Sequence, residues 1–144
     1  MAFRGSFDYS LDAKNRLTIP AKFRAELSGG LVLAKGIERN IDVWVPDAYD
    51  ALVRSSLAGL NPMSSDARRM KLWFSANAFD AELDAAGRVQ LPKELLDHAG
   101  LAKEVVVTGA SESLQIWDRS AWQDFNETLT GDIAAITERL GHPG

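Results

Sequence analysis

One ten-residue frame occurs twice in this chain, and it limits the possible folds more than any other feature. Leu11-Asp12-Ala13-Lys14-Asn15-Arg16-Leu17-Thr18-Ile19-Pro20 aligns without a gap on Leu83-Asp84-Ala85-Ala86-Gly87-Arg88-Val89-Gln90-Leu91-Pro92, 72 positions later. The common frame is Leu-Asp-x-x-x-Arg-apolar-polar-apolar-Pro. Upstream, Phe7 matches Phe79 at the same offset. Downstream, Leu31-Val32-Leu33 is echoed by Val105-Val106-Val107 at an offset of 74, and Ile41-Asp42-Val43-Trp44 by Leu114-Gln115-Ile116-Trp117 at 73. Tyr49 then matches Trp122. Two copies at so long a period do not make a solenoid; they indicate a duplicated small domain.

Within each copy the periodicity is mostly that of strands. Phe7 and Tyr9 alternate with polar neighbours over Ser6 to Ser10, and Leu17 and Ile19 alternate with Arg16 and Thr18. Period two gives strands with one buried face. Asp12 to Asn15 lies between them and reads as a turn, because Asp and Asn bond the nearby backbone and tolerate left-handed dihedrals. The first unit is therefore expected to open as a hairpin, with Arg16 just past its tip. Pro20 ends the second strand and suits the start of a short helix over Ala21 to Leu27, stopped by Ser28-Gly29-Gly30. Strands follow at Leu31 to Ala34 and Ile41 to Val45. Asp47 is placed to cap a helix running to about Leu57. A second helix starts at Ser65-Asp66 with Met70, Trp73 and Phe74 on its apolar side. The second copy repeats the order, and a final helix from Asp118 or Ser120 carries Trp122, Phe125 and Leu129. Thr130-Gly131 is a candidate break in it, with Ile133, Ile136 and Leu140 continuing the stripe; Gly141-His142-Pro143-Gly144 reads as a frayed tail. The class is α+β, rich in β. The divisions are residues 5–49 for repeat 1, 50–76 for a helical connector, 77–122 for repeat 2 and 123–144 for the C-terminal helix and tail.

Each repeat is near the size at which a lone core is marginal, so the halves are expected to pack together or the chain to oligomerise. Cysteine is absent from the 144 residues, which removes disulfides and thiolate metal sites. The N-terminus lacks the apolar stretch of a signal peptide and no run reaches membrane-spanning length, so a cytoplasmic protein is expected. The net charge of −4 argues against a nucleic-acid partner when taken alone. Its distribution argues otherwise. Met1 to Arg24 holds five basic residues (Arg4, Lys14, Arg16, Lys22 and Arg24) against Asp8 and Asp12, whereas the matching stretch Trp73 to Leu96 holds Arg88 and Lys93 against four acids. The first repeat can face a polyanion; the second is poorly suited to do so.

Asp12 with Arg16, and Asp84 with Arg88, have two readings. In one they are ion pairs that stabilise turns. In the other the Asp fixes the turn while the Arg projects from it, ready to donate bidentately to a phosphate or to guanine O6/N7. Lys14 adds a phosphate contact at the tip. Ala86 and Gly87 replace Lys14 and Asn15 in the second copy, which makes Asp84 and Arg88 mainly structural. A protease-like aspartate dyad would need a hydroxyl residue and Gly after each Asp; neither copy has them. His98 and His142 offer no ligand spacing, and His98 reads as a partner of a helix C-terminus. Nothing in the pattern calls for a metal, cofactor or small-molecule substrate. Trp44, Trp117 and Trp122 read as core. Trp73 is the exception, a candidate for a subunit interface.

The two signatures, together with Phe3-Arg4-Gly5 and Ala21-Lys22-Phe23-Arg24, closely resemble the MraZ family, over nearly the whole chain up to Trp122. The resemblance implies two SpoVT-AbrB-type repeats whose swapped hairpins form half-barrels of one pseudo-twofold β-barrel, with packing helices. It implies a transcriptional regulator, non-enzymatic, that assembles into a ring of eight or more subunits and binds short direct repeats of double-stranded promoter DNA. The expected target is the division and cell-wall gene cluster, including its own operon, as a repressor at the nucleoid. Carried over residue by residue, Lys14 and Arg16 are the DNA contacts, with Arg4, Lys22 and Arg24 as weaker candidates. Asn15 stands where the family often has Gly, and its tolerance of left-handed dihedrals should preserve the turn. A ring also answers the charge problem, since repeated weak contacts raise avidity by roughly 10²–10⁴. The alternative from another class is an oligomeric protein-interaction module, antitoxin-like or a scaffold, without specific DNA readout.

Overall fold

The computed structural model describes residues 2–141; His142, Pro143 and Gly144 of the expected tail lie outside the described residues. In chain order the elements are β1 (Ser6–Ser10), β2 (Arg16–Thr18), a 3₁₀ turn (Ala21–Phe23), β3 (Leu31–Lys35), β4 (Ile41–Trp44), α1 (Pro46–Leu57) and α2 (Ser65–Ala76). Then come β5 (Ala78–Ala81), β6 (Arg88–Gln90), α3 (Lys93–Ala99), β7 (Glu104–Gly109), β8 (Leu114–Asp118) and α4 (Arg119–Arg139). The fold is α+β and mostly β: a six-stranded antiparallel sheet in the order β1-β7-β8-β4-β3-β5, and a two-stranded pair β2-β6.

The duplication dictates this order. Each repeat's first strand pairs with the other repeat's third. Phe7 faces Val107, and its counterpart Phe79 faces Leu33 in the same register. The remaining strands pair with their own counterparts: β2 with β6 about Leu17 and Val89, and β4 with β8 about Asp42 and Gln115. A pseudo-twofold axis thus runs through both self-pairs. The hairpin expected of β1 and β2 does not form. A turn joins them, but each finds its ladder in the other repeat, because β2 must place Leu17 and Ile19 on the same core as Val89 and Leu91.

Alternation along the strands gives the sheet two faces. One face, with Leu31, Leu33, Ile41, Val43, Val105, Val107, Leu114 and Ile116, closes on Leu17, Ile19, Val89, Leu91, Leu95, Phe23 and Leu27. The opposite face carries Val32, Ala34 and Trp44 beneath Tyr49 of α1 and Phe74 of α2, and separately Val106 and Trp117 beneath α4.

Three local expectations change. The segment after Pro20 is not an α-helix: Phe23, Arg24, Leu27, Ser28 and Gly30 all bond three residues back, the tighter 3₁₀ pattern. In α3, the equivalent segment, Gly100 takes φ 60° and closes a proper C-cap. Asp47 lies inside the first turn of α1 rather than capping it, because Pro46 occupies the first helical position and Val45 precedes it. Thr130-Gly131 does not interrupt α4, which runs 21 residues from an Asp118 cap that accepts from the Ala121 N–H at 3.1 Å.

Candidate nucleic-acid interface

Each signature folds into the same turn. The Asp12 carboxylate accepts the Lys14 and Arg16 backbone N–H groups, both at 2.9 Å, through Oδ1, and the Arg16 Nε–H at 2.7 Å through Oδ2. The Asp12 carbonyl accepts the Asn15 N–H, and Asn15 takes φ 59°, the left-handed conformation its side chain tolerates. Asp84 repeats every contact: Ala86 and Arg88 N–H groups at 2.9 Å and Arg88 Nε at 2.9 Å, with Gly87 at φ 76°. Donation from the Arg16 backbone N–H is the largest influence on the Asp12 carboxyl and holds it below the usual carboxylate range; Arg88 does the same for Asp84.

The turns flank a short ribbon. Asn15 and Ile19 extend the β2–β6 ladder through bonds to Leu91 and Gly87. Leu17 and Val89 point inward, leaving Arg16, Thr18, Arg88 and Gln90 on the outer surface. The two arginines are not independent. Arg88 Nη1 lies 3.9 Å from Asp12 Oδ2, so the first turn's carboxylate faces both. Gln90 donates to the Lys14 carbonyl at 2.6 Å and steadies the tip from the other repeat. Thr18, its counterpart, makes no such bond to Ala86. Nothing in either signature alone pointed to Gln90; the signal lay in superimposing the copies in antiparallel register.

The five basic residues of the first stretch take different positions. Lys14 is exposed at the turn and Arg16 is half-buried beside it. Arg24 donates through Nε to the Ile19 carbonyl at 2.9 Å and covers Gly87, where an added Cβ would collide with that same nitrogen. It therefore braces the second turn. Lys22 sits over the Phe7 and Phe23 rings at 4.9 and 5.1 Å. Arg4 is exposed beside the Phe3–Ser111 bridge at the sheet's edge. One arginine the sequence reading passed over, Arg119, bonds the Tyr9 carbonyl at 2.9 Å and Glu104 at 2.6 Å, tying α4 to β1 and β7.

The other polar residues have structural surroundings. His98 Nε2 lies 3.0 Å from both the Gly36 and Glu38 carbonyls, joining α3 to the β3–β4 turn. Burial pushes the Asp42 carboxyl up, opposed by the Asn40 amide that donates to it at 2.7 Å. Among the described residues no group of three or more His, Asp and Glu side chains could hold a metal ion, and no helix is long and apolar enough to cross a membrane.

Residues 2–72 and 74–141 each match one and the same protein-family model, that of the MraZ protein, described as antitoxin-like. The division at residue 73 falls within α2, in the connector between the two repeats.

Proposed function

The chain belongs to the MraZ family, and from that premise we propose that it is a sequence-specific DNA-binding transcriptional regulator. One observation carries this reading: a carboxylate holds Arg16 by its Nε on the outer face of a two-stranded ribbon, with exposed Lys14 at the adjoining tip. A two-stranded ribbon fits the major groove, which is about 12 Å wide. With Nε engaged by Asp12, the guanidinium plane is fixed and its Nη groups remain for guanine O6/N7 or a phosphate. Lys14 supplies a phosphate contact, with Arg4, Lys22 and Arg24 as outlying positions. Repeat 1, residues 5–49, is the DNA-facing unit. Repeat 2, residues 77–122, is scaffold, and residues 50–76 and 123–144 serve assembly. The protein acts as a ring-shaped homo-oligomer of eight or more subunits on short direct promoter repeats. There it represses the division and cell-wall gene cluster, its own operon included, without catalysis. The antitoxin-like description of the family and the acidic net charge favour a second reading, an oligomeric module whose partner is a protein.

The test is a salt-titrated binding assay on DNA from the gene's own upstream region, with wild type, Arg16→Ala and Arg88→Ala at matched assembly state. Arg16→Ala should lose roughly 1–3 kcal/mol per engaged subunit, and the wild-type log–log salt slope should steepen by about 0.9 per neutralised phosphate. Arg88→Ala should stay near wild type. Equal binding by all three proteins, or no preference over unrelated DNA, removes the regulator reading in favour of a protein partner.

A further inference from the structure

Helix α4 carries an apolar stripe that the other described residues do not cover. Trp122 and Phe125 rest on Trp117, with ring centroids 5.6 and 4.6 Å away. Beyond them Leu129, Ile133 and Leu140 are 37%, 53% and 67% exposed, and half-buried Ile136 completes the stripe. None of the 21 helical residues is fully buried. The first repeat handles the same position differently. Tyr49, the counterpart of Trp122, donates to the Phe74 carbonyl of α2 at 2.9 Å and packs on its ring. Among the described residues the second repeat has no counterpart of α2. The distal part of α4 also carries Gly131, which costs a helix about 1 kcal/mol relative to Ala. A stretch of that length is marginal unless its apolar face is covered.

A second surface is also apolar and carries the opposite charge. Ile37 at the β3–β4 turn is 78% exposed, and Met70 and Leu72 of α2 are 39% and 67% exposed. An open groove of about 550 Å³ lies between Ile37, Asp66, Arg69, Met70 and Trp73. Helix α2 carries Arg68, Arg69 and Lys71 against Asp66. Past Trp122, α4 carries Asp124, Glu127, Asp132 and Glu138 against Arg139.

We infer that α4 of one copy seats its Leu129–Ile133 face in the Ile37–Met70–Trp73 groove of the next copy. Pairing two α4 helices would instead set acidic faces together, which opposes a symmetric dimer through this helix. The contact is head-to-tail: each copy offers one helix and one groove, so additions continue until the path closes on itself. This rests on the ring assembly proposed above and names the surfaces that make it.

The experiment measures solution mass for the full chain, its Leu129→Asp/Ile133→Asp variant, its Ile37→Asp/Met70→Asp variant, and an equimolar mixture of the two. The substitutions sit at exposed positions. Wild type should assemble, and each variant alone should fall to the 15.7 kDa monomer. The mixture should form a species of twice that mass and nothing larger, because it retains one intact helix and one intact groove. That complementation also certifies that both variants are folded. A groove variant that keeps the wild-type mass, or a mixture that stays monomeric, overturns the docking while leaving the ring. A monomeric wild type at micromolar concentration overturns both. DNA binding by the wild type is read separately and decides the regulator proposal alone.

Discussion

Leu17 lies directly opposite Val89 in the β2–β6 pair, and the two are each other's counterparts across the 72-residue repeat. Both are almost wholly removed from solvent. Each is flanked in the ladder by an Arg and an uncharged polar residue, Thr18 or Gln90, facing outward. This self-paired position joins the inner core to the proposed DNA-facing surface. Leu17→Ala should cost about 2–5 kcal/mol, as large-to-small core changes do. Combined with Val89→Ala it should depart from additivity by about 0.5–3 kcal/mol, because the two side chains share one site. Urea denaturation of the two single variants and the double variant measures both quantities.

The turns predict a second series. Asn15 holds φ 59° and Gly87 φ 76°. Asn15→Gly should be nearly neutral, and Asn15→Val should cost about 1–2 kcal/mol, the penalty for a residue with a crowded Cβ in left-handed backbone. Gly87→Ala should be worse than the dihedral alone implies, because its Cβ must displace the Arg24 guanidinium from the Ile19 carbonyl. Thermal unfolding ranks the three.

Acid should loosen both turns together. The Asp12 and Asp84 carboxyls are held below their usual range by the Arg16 and Arg88 backbone N–H groups. A carboxyl depressed in the folded state contributes stability above its unfolded value, about pH 4, and loses it as the pH falls further. The melting temperature of wild type should therefore drop more steeply below pH 4 than that of Asp12→Ala/Asp84→Ala. Parallel slopes for the two proteins would refute the assignment.

Asp42 should behave in the opposite sense. Burial raises its carboxyl, so its contribution is fullest when protonated and is lost as the pH rises through the raised value. Asp42→Asn keeps an acceptor for the Asn40 amide and removes the charge. Its melting temperature should exceed that of wild type at neutral pH, with the gap narrowing as the pH is lowered.

Much of this architecture was legible from residue order. The duplication, the alternating strands and the Asp-x-x-x-Arg turns are local or periodic, and local chemistry decides them. Pairing was not legible, because period two says which face a residue takes and nothing about its partner. Phe7 and Leu17 would alternate identically in a hairpin or in the exchanged arrangement found. The 3₁₀ segment after Pro20 was missed because Ala21, Phe23 and Leu27 suit either helix type. The same one-dimensional view did not show that Arg24, a weaker DNA candidate, sets its Nε on the Ile19 carbonyl. Gln90, bonded to the Lys14 carbonyl from 76 residues away, has no local signal at all. The Trp44 and Trp117 core positions followed from their matching places in the two copies, and both are buried.

The exchange of first strands has a consequence for how the chain matures. Ser6–Ser10 pairs with Glu104–Thr108 of β7, so an early-made segment has its ladder partner about a hundred residues downstream. During synthesis, at about 5–20 residues per second, β1 waits several seconds with its edge bare. Repeat 1 can form its β3–β4 ladder in that interval, but β2 and the outer edge of β3 stay unpaired until β6 and β5 are made. Contacts this distant in sequence make folding slow relative to a chain of local hairpins. The duplicated protein therefore becomes native only after β7 has left the ribosome, and until then its exposed edges are open to strands of neighbouring nascent chains.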